Sequence, residues 1–134
     1  MIRLFLDTNI VLDLLAERKP FCDDAVRLFT LAHEKKVELF VSPVTFTTAS
    51  YVLSKHNAAE ERKLLSGLRQ LVRIATTDER TIDDALSSQF TDFEDALQYY
   101  SALTIKAEAI ITRNGKDFAN AHIPVMTAGE WLGE

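Results

Sequence analysis

The chain has 134 residues, 47% of them hydrophobic and 26% charged, which is the composition of one ordinary globular domain. Fifteen Lys and Arg against twenty Asp and Glu leave a net charge of −5, so a general polyanion-coating surface is excluded and any work on nucleic acid must be local or bridged by cations. The single cysteine, Cys22, excludes an internal disulfide, gives no Cys-based zinc site, and is expected to be a small, partly buried apolar residue.

From the N-terminus, no apolar run reaches the roughly 18 residues of a membrane span, and Asp7 interrupts the opening run too early for a secretory signal. The expected location is the cytoplasm, without membrane contact. Residues 2–6 (IRLFL) are β-prone; after them Ile10, Val11, Leu14 and Leu15 recur at helical spacing, while Asn9, Asp13 and Glu17 form an i, i+4 polar row. That pattern reads as strand, tight turn, helix, with Asp13 expected as a solvated helix acid or a local hydrogen-bond partner, and a supporting role behind Asp7 as the lesser alternative. Pro20 suits the first turn of a second helix whose apolar face is Phe21, Ala25, Leu28, Phe29 and Ala32. "VELFV" (37–41) is a second strand; Ser42 as N-cap and Pro43 at N1 then open a third helix to about Leu53. A fourth helix carries Leu64, Leu65, Leu68 and Leu71 into the strand "VRIAT". Asp78 or Thr77 caps a short helix, and Asp92 caps another running to about Lys106. "AEAIIT" is a fourth strand, "IPVM" a short fifth, and Thr127 with Glu130 fits a capping box for a last turn around Trp131.

Strands and helices alternate throughout, with no linker, repeat or low-complexity segment. The expected fold is therefore α/β: a single domain, 1–134, built as a three-layer α/β/α sandwich on a mainly parallel sheet. Ligands in such sheets gather at the carboxyl ends of the strands, which is where Asp7 sits.

Asp7 is flanked by segments fit for an interior, and an unpaired carboxylate there is costly. Its candidate companions are Asp117 and Asn114 in "TRNGKDF", directly after the fourth strand, and Asp92 and Asp95 in "TDFEDALQYY". On a helical wheel Phe93, Ala96, Leu97, Tyr100 and Leu103 make the buried side of that helix, Asp92, Asp95 and Tyr99 one flank, and Glu94, Gln98 and Ser101 the other. Each acid also has an ordinary reading, as a cap, a partner of the helix dipole or a solvated turn residue. Acids drawn from distant segments raise one another's pKa unless they share a cation, and a mainly carboxylate pocket suits a hard ion such as Mg²⁺ or Mn²⁺.

"LFLDTNIVLDLL", "VSPVTFTTASYVL", "DFEDALQYYSAL" and "AIITRNGKDF", in this order over nearly the whole chain, resemble the PIN-domain family and within it the VapC-like toxins of bacterial toxin–antitoxin pairs. The resemblance implies a Mg²⁺- or Mn²⁺-dependent ribonuclease that leaves 5′-phosphate and 3′-hydroxyl ends, with RNA as substrate, an antitoxin protein as partner, and a homodimer. Carried over by position, Asp7 matches the family's first acid and Asp95 the acid of the third segment, with Asp92 an additional one. The usual glutamate after strand two is replaced by Thr48, and the usual aspartate after "TR" by Asn114; Asp117 stands ready to supply a missing carboxylate. The implied chemistry is phosphodiester hydrolysis, Asp7 and Asp95 holding the ion, Asp92 or Asp117 completing its shell, and water losing a proton to become the nucleophile.

Thr8, Asn9 and Thr112 are candidates for orienting a carboxylate or water, with turn and capping chemistry as the equal alternative. Thr48 and Asn114 could offer neutral oxygens. Ser54, Lys55, His56 and an exposed Arg113 are available to touch substrate, while His33 and His122 carry no motif and are expected at the surface. Helix residues between 20 and 54, including Phe46 and Tyr51, could form a dimer seam or an antitoxin groove unless they belong to the core. A second reading, favoured by Thr48 and Asn114, is a non-catalytic module of the same fold that binds RNA or protein. A third, "DTN" as an aspartyl-phosphate nucleophile of the haloacid-dehalogenase type, lacks the second acid at position 9.

Overall fold

The alternation of short β-prone runs and amphipathic helices is realised as one parallel sheet in the computed structural model, which describes residues 1–133. Strands β1 (Ile2–Leu6), β2 (Val37–Val41), β3 (Val72–Ile74), β4 (Ala109–Ile111) and β5 (Val125–Met126) lie in the order β3-β2-β1-β4-β5, every neighbouring pair parallel. The helices are α1 (Thr8–Leu15), α2 (Cys22–His33), α3 (Pro43–His56), α4 (Glu61–Leu71), α5 (Glu79–Leu86), α6 (Phe93–Thr104) and α7 (Ala128–Leu132).

Strand side chains alternate between faces, so the sheet has two cores. Leu4 and Leu6 join Val37, Leu39, Val41, Val72, Ala109 and Ile111 beneath Ile10 and Val11 of α1, Leu28 and Phe29 of α2, Leu68 of α4 and Ala128 of α7. On the other face Phe5, Phe40 and Ile110 meet Tyr99 and Ala102 of α6 and Phe118. Helices therefore cover both faces, the expected three-layer arrangement. β1 is the strand from which the chain first builds outward through β2 and β3, and later, through β4, in the opposite direction. Its carboxyl end is thus a topological switch point, the crevice in which such sheets bind ligands. β1 and β4 run in register there, Leu6 beside Ile111, with the Asp7 N–H donating to the Ile111 carbonyl at 3.0 Å.

Local departures from expectation have physical causes. Pro20 stands in the turn before α2 rather than inside its first turn, and the helix begins at Cys22. Ser42 occupies the N-cap of α3 without capping it, because its hydroxyl donates instead to Gln98 Oε1. Helix α3 continues past Leu53 to His56. Asp78 and Thr127 do cap α5 and α7, each in a full capping box, and Asp92 caps α6.

The buried face of α6 is rotated from the expected one. Gln98, Tyr99 and Ser101 are buried while Phe93 is 44% and Leu103 39% exposed, because polar partners wait inside: Gln98 bonds Ser42 and Thr8, and Ser101 bonds Thr77. Phe46 packs against the first core, whereas Tyr51 is exposed, its ring covered on one side by the Lys55 ammonium. Cys22 is half-buried, and His33 and His122 are exposed, as expected. Among the described residues no helix is long and apolar enough to cross a membrane.

Candidate functional site

Asp7 follows β1 directly and is the N-cap of α1, its Oδ1 accepting from the Thr8 N–H at 2.8 Å. Oδ2 accepts from the Thr112 hydroxyl at 2.8 Å and from Asn9 Nδ2 at 3.2 Å. The parallel register of β1 and β4 explains why Thr112, one residue past β4, stands beside Asp7. Thr112 Oγ1 in turn accepts from the Asn114 N–H at 3.0 Å, tying the following turn to the same point. Burial pushes the Asp7 carboxyl above its ordinary range despite the bonds from Thr112 and Thr8 and the neighbouring Gln98 amide, all of which favour its charge, and the nearby Asp117 carboxylate adds to the rise.

The first turn of α6 brings the second group of acids. The start of α6 lies at the carboxyl edge of the sheet, where the Asp7 charge acts on Asp95 and Gln98 bonds Thr8. Partial burial raises the Asp95 carboxyl to about 7, helped by the Asp92 and Asp7 charges, by a hydrogen bond shared with Asp92, and by Asp117. Glu94 is raised by burial and by Asp92 and Asp7. Asp92 caps the helix through Oδ1 on the Glu94 N–H at 3.2 Å. Asp117, exposed in a 3-10 turn over Gly115–Phe118, completes the group. Acids from three remote segments therefore lie close enough at the switch point for the Asp117 charge to act on the Asp7 carboxyl and for Asp92, Asp7 and Asp117 to act on that of Asp95. Among the described residues no three acidic, His or Cys side chains close round a single point. The donors offered are all oxygens, the set that hard divalent ions take while keeping much of their water.

Two supports were not anticipated. A buried chain of hydrogen bonds runs beneath Asp7: Ser42 to Gln98 Oε1, Gln98 Nε2 to Thr8 Oγ1 at 3.2 Å, and Thr8 Oγ1 with Thr45 Oγ1 at 2.9 Å. Thr45 is thus the residue of α3 that reaches the site; Thr48, one turn later, is half-buried and takes no part in these bonds. The signal for Gln98 was its place one turn after Asp95. Asn114 contributes its main-chain N–H and leaves its side chain in solvent.

The second support corrects two expectations. Asp13 is not solvated but 1% exposed, and Arg113 is not free but forked onto it, Nε to Oδ2 at 2.8 Å and Nη2 to Oδ1 at 3.1 Å. The guanidinium also lies 3.9 Å from the Phe21 ring centroid. Spacing within α1 could not show this pairing, since the partner is 100 residues away. Ser54, Lys55 and His56 sit at the C-terminal end of α3.

The PIN domain family matches residues 3–116, and this chain belongs to it. Over 96% of its length it is 28% identical to Ribonuclease VapC1 of Aquifex aeolicus, covering 92% of that protein. Two of the solved structures that share the fold illustrate the likeness. One is a toxin–antitoxin complex from Klebsiella pneumoniae, at a TM-score of 0.71 and 24% identity over 93% of this chain and 97% of that one. The other is VapBC2 of Rickettsia felis bound to a DNA fragment from its promoter, at 0.70 and 16% over 93% and 97%.

Proposed function

We propose that this chain is a Mg²⁺- or Mn²⁺-dependent endoribonuclease, the toxin of a toxin–antitoxin pair. The observation that carries the reading is the group of carboxylates, Asp7, Asp92, Asp95 and Asp117, gathered from three segments at the switch point of a PIN-domain sheet. Likeness to a protein named as a ribonuclease supports the substrate class, and likeness to toxin–antitoxin complexes supports an antitoxin partner. Asp7 and Asp95 would hold the ion, with Asp92 or Asp117 completing the set; Thr48 and Asn114, where the family usually has acids, offer only neutral oxygens. When bound, the ion supplies charge neutralisation at the scissile phosphate and makes water a stronger acid.

The chain's own residues do the rest. Thr112 and Asn9 donate to Asp7 Oδ2 and Thr8 to Oδ1, which fixes the carboxylate's orientation. Without a cation, burial and the charges of Asp92, Asp7 and Asp117 raise the Asp95 carboxyl to about 7; a bound divalent ion would offset that repulsion and hold the group ionised as a ligand. A homodimer in solution belongs to the same proposal, and sedimentation at high concentration tests it. The assay that tests the activity is cleavage of RNA with Mn²⁺ by the wild type and by Asp7→Asn. Cutting by the first and not the second is expected. Well-folded, metal-loaded wild type that cuts no RNA would favour the non-catalytic binding module instead, a reading that the relatives do not favour.

A further inference from the structure

The Asp13–Arg113 pair stands at the carboxyl edge, yet nothing in the proposed reaction uses it. Burying a carboxylate as fully as Asp13 is unfavourable unless it is paired and hydrogen-bonded on both oxygens, and one guanidinium supplies both bonds, at 2.8 and 3.1 Å. Only arginine has the planar fork for this; a lysine ammonium is a point charge. Phe21, in the turn before α2, packs on the guanidinium and limits its movement.

The main chain of the same residue leads to the site. The Arg113 N–H donates to Asn9 Oδ1 at 3.4 Å, and Asn9 Nδ2 donates to Asp7 Oδ2 at 3.2 Å. On one side of Arg113 the Thr112 hydroxyl donates to Asp7 Oδ2; on the other the Asn114 N–H donates back to Thr112 Oγ1. The turn 112–114 is thus fastened to α1 at two levels, through Asn9 near Asp7 and through Asp13 one turn further along. Resting on the nuclease reading above, we propose that Asp13 and Arg113 are positioning residues, a clamp that keeps the Thr112 hydroxyl and Asn9 amide on Asp7. A guanidinium with its charge matched and two nitrogens engaged is poorly placed to serve chiefly as a contact for RNA phosphate.

The test uses full-length protein and the variants Asp13→Asn, Arg113→Lys and the two combined, assayed with Mn²⁺ on one RNA. Loss of such supporting contacts costs about 10- to 100-fold, so each single variant should lose that much in kcat with KM near the wild-type value. The double variant should fall no further than either single, because both break one clamp. Amide hydrogen exchange gives a readout apart from activity: residues 113 and 114 should exchange faster in every variant, while Phe5 and Ile110 in the sheet keep wild-type protection and so report an intact fold. Unchanged exchange at 113 and 114, or full kcat in Arg113→Lys, would overturn the clamp. So would a raised KM with kcat intact and a salt dependence weakened by about one phosphate contact, the signature of an RNA-binding arginine. Wild type that cuts no RNA overturns the nuclease reading and the positioning role together, whereas active wild type with unaffected variants overturns the clamp alone.

Discussion

Asp7 concentrates the opposing forces of the site: burial disfavours its charge, and three donors favour it. A carboxylate retained in such a place is more useful for binding a cation than for holding the fold together. Of the two side-chain donors, Thr112 is the closer, at 2.8 Å against 3.2 Å from Asn9. Thr112→Val keeps the shape and removes the hydroxyl, so cleavage should fall about 10- to 100-fold with KM little changed, and Thr112→Ser should recover most of the loss; steady-state kinetics with Mn²⁺ checks both. Asp7 was legible in the sequence because an acid between apolar runs at a strand end is out of place there. Gln98 and Thr45 were not: a threonine in a threonine-rich run carries no sign of burial, and for Gln98 the single cue was its place one turn after Asp95. Only the packing of α6 and α3 over the sheet turns them inward.

At the scale of the element, α6 determines how the site responds to pH. In an unfolded chain Asp95 titrates near 3.9; in the fold, burial and then its acidic neighbours raise it to about 7. Between those values the folded state holds more protons than the unfolded one, so this group makes stability fall as pH rises from about 4 to about 7 and adds no slope outside that window. Metal-free wild type should therefore melt lower at pH 8 than the Asp95→Asn variant, and the two should converge below pH 4. Equal melting temperatures at pH 8 would show that the cluster does not strain the fold. Helix α7 offers an independent check of local chemistry: Thr127 caps it reciprocally with Glu130, and Trp131 packs on the first core. Thr127→Ala should cost about 1 kcal/mol, read as a lower denaturant midpoint at constant slope. The capping box of α7, the strands and the order of elements were readable, because they depend on neighbours in sequence; at α5 the cap was narrowed only to Asp78 or Thr77, and its box with Thr81 was not read. The buried face of α6 and the Asp13–Arg113 fork were not, because each depends on a partner from a remote segment.

For the whole molecule, a parallel sheet whose order reverses at β1 brings the ends of β1 and β4 together, and the start of α6 adds its acids to that one crevice. With a net charge of −5, the surface gives RNA little general attraction, so substrate engagement should depend on the cation. A ligand that binds only the folded state stabilises it by mass action; Mg²⁺ or Mn²⁺ should therefore raise the melting temperature of wild type at pH 8, and EDTA should reverse the rise. The most direct measurement of the central claim is anomalous scattering from crystals soaked in Mn²⁺ at pH 8, with the pocket open to solvent. A peak beside the carboxylates of Asp7 and Asp95 is expected, lost in Asp7→Asn. An empty difference map beside both residues in well-ordered wild-type crystals would contradict it.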